Sequence, residues 1–206
     1  MRPWPAGDNG AARFLARPVM PDILRARLAA QLDDYFRRWP AEQADRAGFC
    51  ELLGQADPFV RARLEGHFTG SAWLVSADGQ RTLLTHHCKL DRWLQPGGHA
   101  DGDPDLARVA LTEALEESGI VGLRVDGQAI FDLDRHWIPA RGDVPGHWHF
   151  DVRYVVHAMD REDYVVGEES HDLAWRPVGE VAQAQDRSLR RMARKWLKRQ
   201  AITAVD

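Results

Sequence analysis

The sequence predicts an α/β fold, a layered domain in which helices pack around a β-sheet. Two observations support this prediction: helical periodicity dominates before Gly66, and runs with strand alternation begin directly after it. Strand patterns and helix patterns then interchange to the end of the chain, which is typical of layered domains.

The N-terminal part shows amphipathic helical spacing. Apolar residues recur at three- and four-residue intervals from Pro21, and this predicts a helix that ends before Pro40. A second helix is predicted from about Ala41, and a short third helix is predicted to open at Asp57.

The remainder contains strand signals separated by turns. Residues 67–76 and 81–86 flank an Asp-Gly turn and predict a hairpin. Further strands are predicted near residues 123–125, 129–138, 147–159 and 173–175, and helices are predicted from Val178 and Ser188. The last helix carries a basic face that includes Lys195, and we expect this face to be solvated.

Composition excludes several functional classes. The chain has 206 residues, a net charge of −4 with acids and bases well mixed, and Cys50 and Cys88 as its two cysteines. This balance gives no reason to expect a nucleic-acid or membrane partner. With no signal-like or membrane-spanning apolar run, we expect a cytoplasmic protein.

An acidic cluster is the strongest functional signal. Glu113, Glu116 and Glu117 stand at i, i+3 and i+4, so a helix places them on one face. The nearest base, Arg108, lies five residues before Glu113 and cannot relieve their repulsion on that face. The alternative is a solvated acidic face, but a bound cation accounts better for the cluster, and oxygen ligands suit Mg²⁺ or Mn²⁺.

The residues around the cluster define a loop, a helix and a stop. Asp103 is the predicted N-cap, Pro104 suits the first helical position, and Gly119 is the predicted C-cap. Ahead of them, Gly97 and Gly98 allow the backbone to approach a ligand closely. We therefore expect a phosphate-and-metal site on this segment.

Residues 98–120 resemble the Nudix box, whose pattern is G-x5-E-x7-R-E-U-x-E-E-x-G-U with U a bulky aliphatic residue. The resemblance implies an α-β-α sandwich around a mixed sheet over residues 66–206, with residues 1–65 as a helical extension. It also implies a Mg²⁺- or Mn²⁺-dependent hydrolase that cleaves a diphosphate linkage in a nucleoside diphosphate joined to another moiety. The implied metal ligands are Gly98, Glu113, Glu116 and Glu117.

The general base is assigned from the same resemblance. Glu113 is the first choice to accept a proton from water, and Glu169, in a later acidic loop, is the second. Two departures bear on catalysis: Pro104 replaces the first glutamate of the pattern, and Thr112 replaces the arginine that orients the glutamates in the family. A catalytically weak or inactive domain that binds nucleotides, regulates or contacts RNA is therefore the alternative. A diphosphate isomerase that uses Cys88 ranks lower.

Histidines accompany the predicted site. His147, His149 and Asp151 alternate on one strand face, and His99 directly follows Gly98. We expect these four residues to line the substrate cleft, and the alternative for the strand residues is a transition-metal site. The expected partner is a nucleotide-derived small molecule whose identity stays open, and the helical extension either covers the pocket or forms a homodimer contact.

Overall fold

The computed structural model describes residues 20–203, so residues 1–19 of the predicted extension and residues 204–206 lie outside the description. In chain order the elements are helix α1 (Met20–Arg38), a 3-10 helix (Pro40–Asp45), helix α2 (Arg46–Leu53), strands β1 (Gly66–Val75), β2 (Arg81–His87), β3 (Arg92–Leu94) and β4 (Gly97–His99), helix α3 (Leu106–Ser118), strands β5 (Arg124–Val125), β6 (Asp132–Ile138), β7 (His147–His157) and β8 (Ser170–Pro177), and helices α4 (Val178–Val181) and α5 (Arg187–Thr203). Over this described range, none of the helices combines the length and the apolar character needed to cross a membrane.

The strands form one mixed sheet of eight strands. Its central order is β3-β2-β1-β7-β5, with β4 beside β1, β6 beside β7 and β8 beside β2. Strands β1 and β7 run parallel over ten residue pairs, whereas the other pairs are antiparallel. With helices packed on both faces, the predicted α-β-α sandwich is confirmed.

Side-chain alternation along β1 divides the core into two layers. Phe68 and Ala72 point to the face covered by α1, α2 and α3, where they join a large apolar cluster. Trp73 and Val75 point to the opposite face, where they pack with residues of α4 and α5. At the N-terminal end of β1 this second face is polar, because His67, Thr69 and Ser71 take the same side.

The N-terminal helices contribute to the larger apolar cluster. Tyr35, Phe36 and Phe49 are buried, and the Phe49 ring packs edge to face against Phe150 of β7 at a centroid distance of 5.2 Å. Residues 20–53 therefore share a core with the sheet. The domain boundary at residue 65 stays a prediction.

Two local predictions are wrong. Residues 54–65 form turns instead of a third helix, because Asp57 has φ of 50° and the Pro58 carbonyl accepts a hydrogen bond from Phe68 of β1. Helix α3 begins two residues later than predicted: Asp105 is the N-cap, and its side chain accepts from the Arg108 backbone N–H at 3.2 Å. The C-cap prediction is confirmed, since Gly119 adopts the left-handed conformation with φ of 65°.

A buried ionic network joins the sheet to both terminal regions. The fully buried Asp132 of β6 accepts hydrogen bonds from Arg153 of β7 at 3.0 Å, from Arg191 of α5 at 2.7 Å and from Lys195 of α5 at 2.6 Å. Lys195 also donates to the Tyr35 hydroxyl of α1 at 2.6 Å. The expectation of a solvated basic face is therefore wrong for Lys195, which points into the protein.

We expect Asp132→Asn to destabilise the fold by about 3–5 kcal/mol, because three buried or half-buried cations lose the charge that compensates them. Urea unfolding of the variant and of Asp163→Asn, an exposed control, measures this loss. A free energy of unfolding for Asp132→Asn that matches the control would contradict the network's role.

The network also predicts acid sensitivity. Burial opposes ionisation of Asp132 and Asp134, but hydrogen bonds and the charges of Arg153 and Arg191 outweigh it and hold the pKa of both carboxyls below the ordinary 3.8. Because the folded-state pKa is depressed, the stabilisation is complete above about pH 4 and is lost as the pH falls further. Urea unfolding over a pH series should show a steep loss for the wild type and a shallower one for Asp132→Asn, whereas equal slopes would refute this account.

Candidate active site

The acidic cluster lies at the C-terminal half of α3. Glu113 and Glu117 are half-buried and Glu116 is exposed. The apolar side of the same helix, with Val109 and Ala110, packs on β1 and fixes the helix against the sheet. The three carboxylates predicted as metal ligands therefore sit at the margin of the core.

Strand β4 supports two of these carboxylates through its glycines. The Gly97 N–H donates a hydrogen bond of 2.8 Å to Glu117 Oε1. A Cβ added to Gly98 would lie under 3.0 Å from the Glu113 carboxylate, so a side chain at Gly98 would displace that group. The double glycine thus allows the backbone to touch both glutamates.

Electrostatics within the cluster is unfavourable for ionisation. Burial, followed by the charges of Glu116, Glu169 and Asp101, raises the pKa of Glu113 to about 7. Burial also raises the pKa of Glu117 to about 7, with the Gly97 hydrogen bond opposing the shift. The named charges that act on Glu113 are all negative.

The predicted second base approaches the cluster from a different part of the sequence. Glu169 is exposed on the loop before β8, and its charge raises the pKa of both Glu113 and Glu117. Its backbone carbonyl accepts from the Cys88 N–H at 3.0 Å, which anchors the loop beside the end of β2. The structure therefore brings Glu169 near the glutamates of α3.

The donor set suits a hard divalent cation. Carboxylate oxygens in excess of nearby positive charge are the ligands that Mg²⁺ and Mn²⁺ prefer, and the Gly98 backbone lies against one of them. An added positive charge would favour the ionised forms of Glu113 and Glu117 by offsetting the mutual repulsion that raises their pKa. The cluster has the composition of a metal site.

Of the two residues that depart from the box pattern, Pro104 precedes α3, whereas Thr112 directly precedes Glu113 and stands four residues before Glu116 on that helix. Thr112 is exposed. Near the start of the helix, Asp103 makes a bidentate pair with the Arg108 guanidinium, with both contacts at 2.7 Å. Arg108 is therefore engaged by Asp103.

The predicted cleft residues lie on the polar face of the sheet. His147 and His149 project from β7 with their Nε2 atoms 3.1 Å apart, and the His99 ring centroid lies 5.2 Å from that of His149. His99 and His149 are half-buried, whereas His147 is 8% exposed. The structure brings these three residues together.

Asp151 has a different environment from the histidines. It is buried, and its carboxylate accepts from the Thr69 hydroxyl at 2.9 Å, the Ser71 hydroxyl at 2.8 Å and Arg153 Nε at 2.7 Å. Gln95 donates a longer hydrogen bond of 3.4 Å. These contacts occupy both oxygens, and the substrate-binding role assigned to Asp151 stays a prediction.

Sequence reasoning overlooked two neighbours of the site. His67 of β1 stacks on His147 at a ring-centroid distance of 5.1 Å, and Gly97 positions Glu117 through its amide. The signal for His67 was present, since His67, Thr69 and Ser71 alternate like His147, His149 and Asp151. Only the parallel pairing of β1 with β7 places the alternating polar residues of β1 beside those of β7.

Comparisons with known proteins give similarity at the level of structure. No family model and no curated protein matches the chain in sequence. An Ap4A hydrolase from C. elegans, solved as a binary complex, has a TM-score of 0.51 at 17% identity over 68% of this chain and 98% of its own. A MutT protein from Methanosarcina mazei Go1 has a TM-score of 0.52 at 14% identity over 67% of this chain and 97% of its own. At these identities the likeness establishes the fold.

Proposed function

We propose that this chain, which has the fold of the Nudix hydrolases, is a metal-dependent hydrolase of a diphosphate linkage in a nucleoside diphosphate joined to another moiety. The observation that carries the proposal is the crowding of Glu113 and Glu117 against the glycines of β4. A solvated acidic face would not bury these carboxylates or raise their pKa to about 7. The similarity to a protein named as an Ap4A hydrolase supports a nucleotide-derived substrate.

The metal is proposed to be Mg²⁺ or Mn²⁺, with Glu113, Glu116, Glu117 and the Gly98 carbonyl as ligands. When bound, such an ion lowers the pKa of a water and neutralises charge on the phosphoryl oxygens. The contribution of the chain is to hold the carboxylates in place: α3 presents them and the Gly97 amide fixes the orientation of Glu117. This backbone contact supports an active enzyme despite Thr112, because it supplies one orienting hydrogen bond without an arginine.

Proton transfer is assigned to the carboxylates of the same cluster. We propose that Glu113 accepts the proton of the attacking water, with Glu169 as the second choice because its loop reaches the same acidic neighbourhood. His99, His147 and His149 are proposed to contact the substrate from the polar face of the sheet, which is the face opposite to the one that α3 covers. Asp151 would support that face through Thr69 and Ser71.

The alternative is a catalytically weak or inactive domain that binds a nucleotide or regulates. It is favoured by the exposed Thr112 at the position of the family arginine. The two functions differ in a simple observable, because only the enzyme releases a phosphate-containing product from a diphosphate compound in the presence of metal.

The first test is turnover of a panel of nucleoside triphosphates, dinucleoside polyphosphates, nucleotide sugars and ADP-ribose with Mg²⁺ or Mn²⁺, with products identified by mass. We expect cleavage of at least one compound, and Glu117→Gln should lower that turnover by about 100-fold or more because it removes a ligand charge. Glu51→Gln, an exposed change on α2, is the matched control. Full activity in Glu117→Gln would refute the site, and binding without cleavage by the wild type would favour the alternative.

A second prediction concerns the close approach of β4 to α3. Gly98→Ala places a methyl group where the Glu113 carboxylate lies, and a displacement of about 1 Å can reduce turnover by about 100-fold. Gly179→Ala is the control, since an added Cβ there meets no atom within 4 Å. Steady-state kinetics and thermal unfolding of both variants separate a loss of turnover caused by displacing the carboxylate from a loss of folding. Normal turnover in a folded Gly98→Ala protein would exclude the proposed contact.

A further inference from the structure

Three histidines from three different strands meet on the polar face of the sheet. His67 comes from β1, His99 from β4 and His149 from β7, and one ring nitrogen of each lies within 4.8 Å of the others. Strand pairing explains this arrangement, because His67 is opposite His149 and His99 is opposite Thr69, two residues along β1. Residues this far apart in the sequence converge only through the sheet.

One of these histidines has a buried nitrogen with no hydrogen-bond partner within residues 20–203. The Nδ1 atom of His67 lies 3.3 Å from the Arg63 carbonyl, which can only accept, so Nδ1 carries the proton. Its Nε2 atom therefore carries a lone pair, yet this atom is buried and unpaired in a residue that is 1% exposed. Such an unsatisfied acceptor is costly unless a ligand occupies the position in front of it.

A second histidine is oriented in the same way through His147. His147 Nδ1 lies 2.9 Å from the Pro145 carbonyl, so as a neutral ring His147 keeps its lone pair on Nε2. His147 Nε2 and His149 Nε2 lie 3.1 Å apart, so His149 Nε2 carries the proton and donates it to the lone pair of His147 Nε2. The lone pair of the neutral His149 ring is then on Nδ1. Metal-binding imidazoles typically make a hydrogen bond through the ring nitrogen that does not bind the metal, and this hydrogen bond fixes the tautomer.

We propose that His67, His99 and His149 bind a divalent transition-metal ion, with Zn²⁺ as the best-suited ion. Imidazole nitrogens favour zinc and its neighbours over magnesium. Zinc–nitrogen distances of about 2.0–2.1 Å require ligand nitrogens about 3.3 Å apart, so small ring rotations complete the site. Three protein ligands also leave a fourth position for water or an anionic substrate oxygen.

This site is separate from the carboxylates of α3. On β4, the Cβ direction of Gly98 points to the Glu113 carboxylate, whereas that of Gly97 points to Ser71 on the polar face. His99 shares the side of Gly97 because side chains alternate along a strand. In the alternative transition-metal set of His147, His149 and Asp151, the Asp151 carboxylate already accepts hydrogen bonds from Thr69, Ser71 and Arg153.

The test is calorimetric titration of the untagged full-length protein with Zn²⁺ in the presence of excess Mg²⁺. We expect one ion per chain and a loss of affinity of more than about tenfold in His99→Gln and in His149→Gln, since even outer-shell changes cost about 10–100-fold. His157→Gln, a histidine at the opposite end of β7 that contacts Asp126, is the matched control. Glu117→Gln should also leave zinc affinity unchanged, which separates this proposal from the proposed hydrolase.

X-ray absorption of the zinc-loaded wild type gives a second readout that does not depend on the variants folding. Three imidazole nitrogens in the zinc shell would support the site. Absence of zinc uptake, a shell of oxygens only, or unchanged affinity in both folded His→Gln variants would overturn it. So would a loss of zinc binding in Glu117→Gln with both His→Gln variants unaffected.

Discussion

The parallel pairing of β1 with β7 determines which side chains of these two central strands face the apolar core under α3 and which face the polar side of the sheet. Ten consecutive residue pairs hold the two strands in one register, so the side chains of both strands sort together onto the two faces of the sheet. On one face Phe68 and Phe150 enter the large apolar core that receives α3. On the other face His67 meets His149 and Thr69 meets Asp151. A shift of one residue in this register would exchange the two faces and dismantle both candidate sites.

The buried Asp132 and the half-buried Glu113 and Glu117 have opposite electrostatic environments. Asp132 is surrounded by Arg153, Arg191 and Lys195, and its pKa is held below the ordinary range. Glu113 and Glu117 face other acids, and their pKa values rise to about 7. The compensated group ties β6, β7 and α5 together and stabilises the fold, whereas an uncompensated group is destabilising unless it binds a cation. Neighbouring charges therefore distinguish the carboxylate that stabilises the fold from the two that are proposed as metal ligands.

The sequence was most informative where one segment contains the whole pattern. The spacing of Glu113, Glu116 and Glu117 and the glycine stop at Gly119 are local features, so α3 and its acidic face could be predicted from residues 98–120. The predicted start of α3 was wrong because Asp103 and Asp105 are both residue types that cap helices well. Asp103 forms a salt bridge with Arg108, and Asp105 caps the helix. The predicted third helix was wrong because of a contact between distant residues: the Pro58 carbonyl accepts a hydrogen bond from the Phe68 N–H of β1.

By itself, the sequence determined the layered α/β class, the acidic face of α3 and the two-residue alternation of His147 and His149, because each is a periodic pattern within one element. Tertiary structure alone decided that His67 and His99 join His149, that Glu169 approaches α3, and that Lys195 points inward to Asp132. These contacts join residues that are distant along the chain, and their geometry follows from strand register and helix docking. Periodicity within a segment carries no information about which other segment lies beside it.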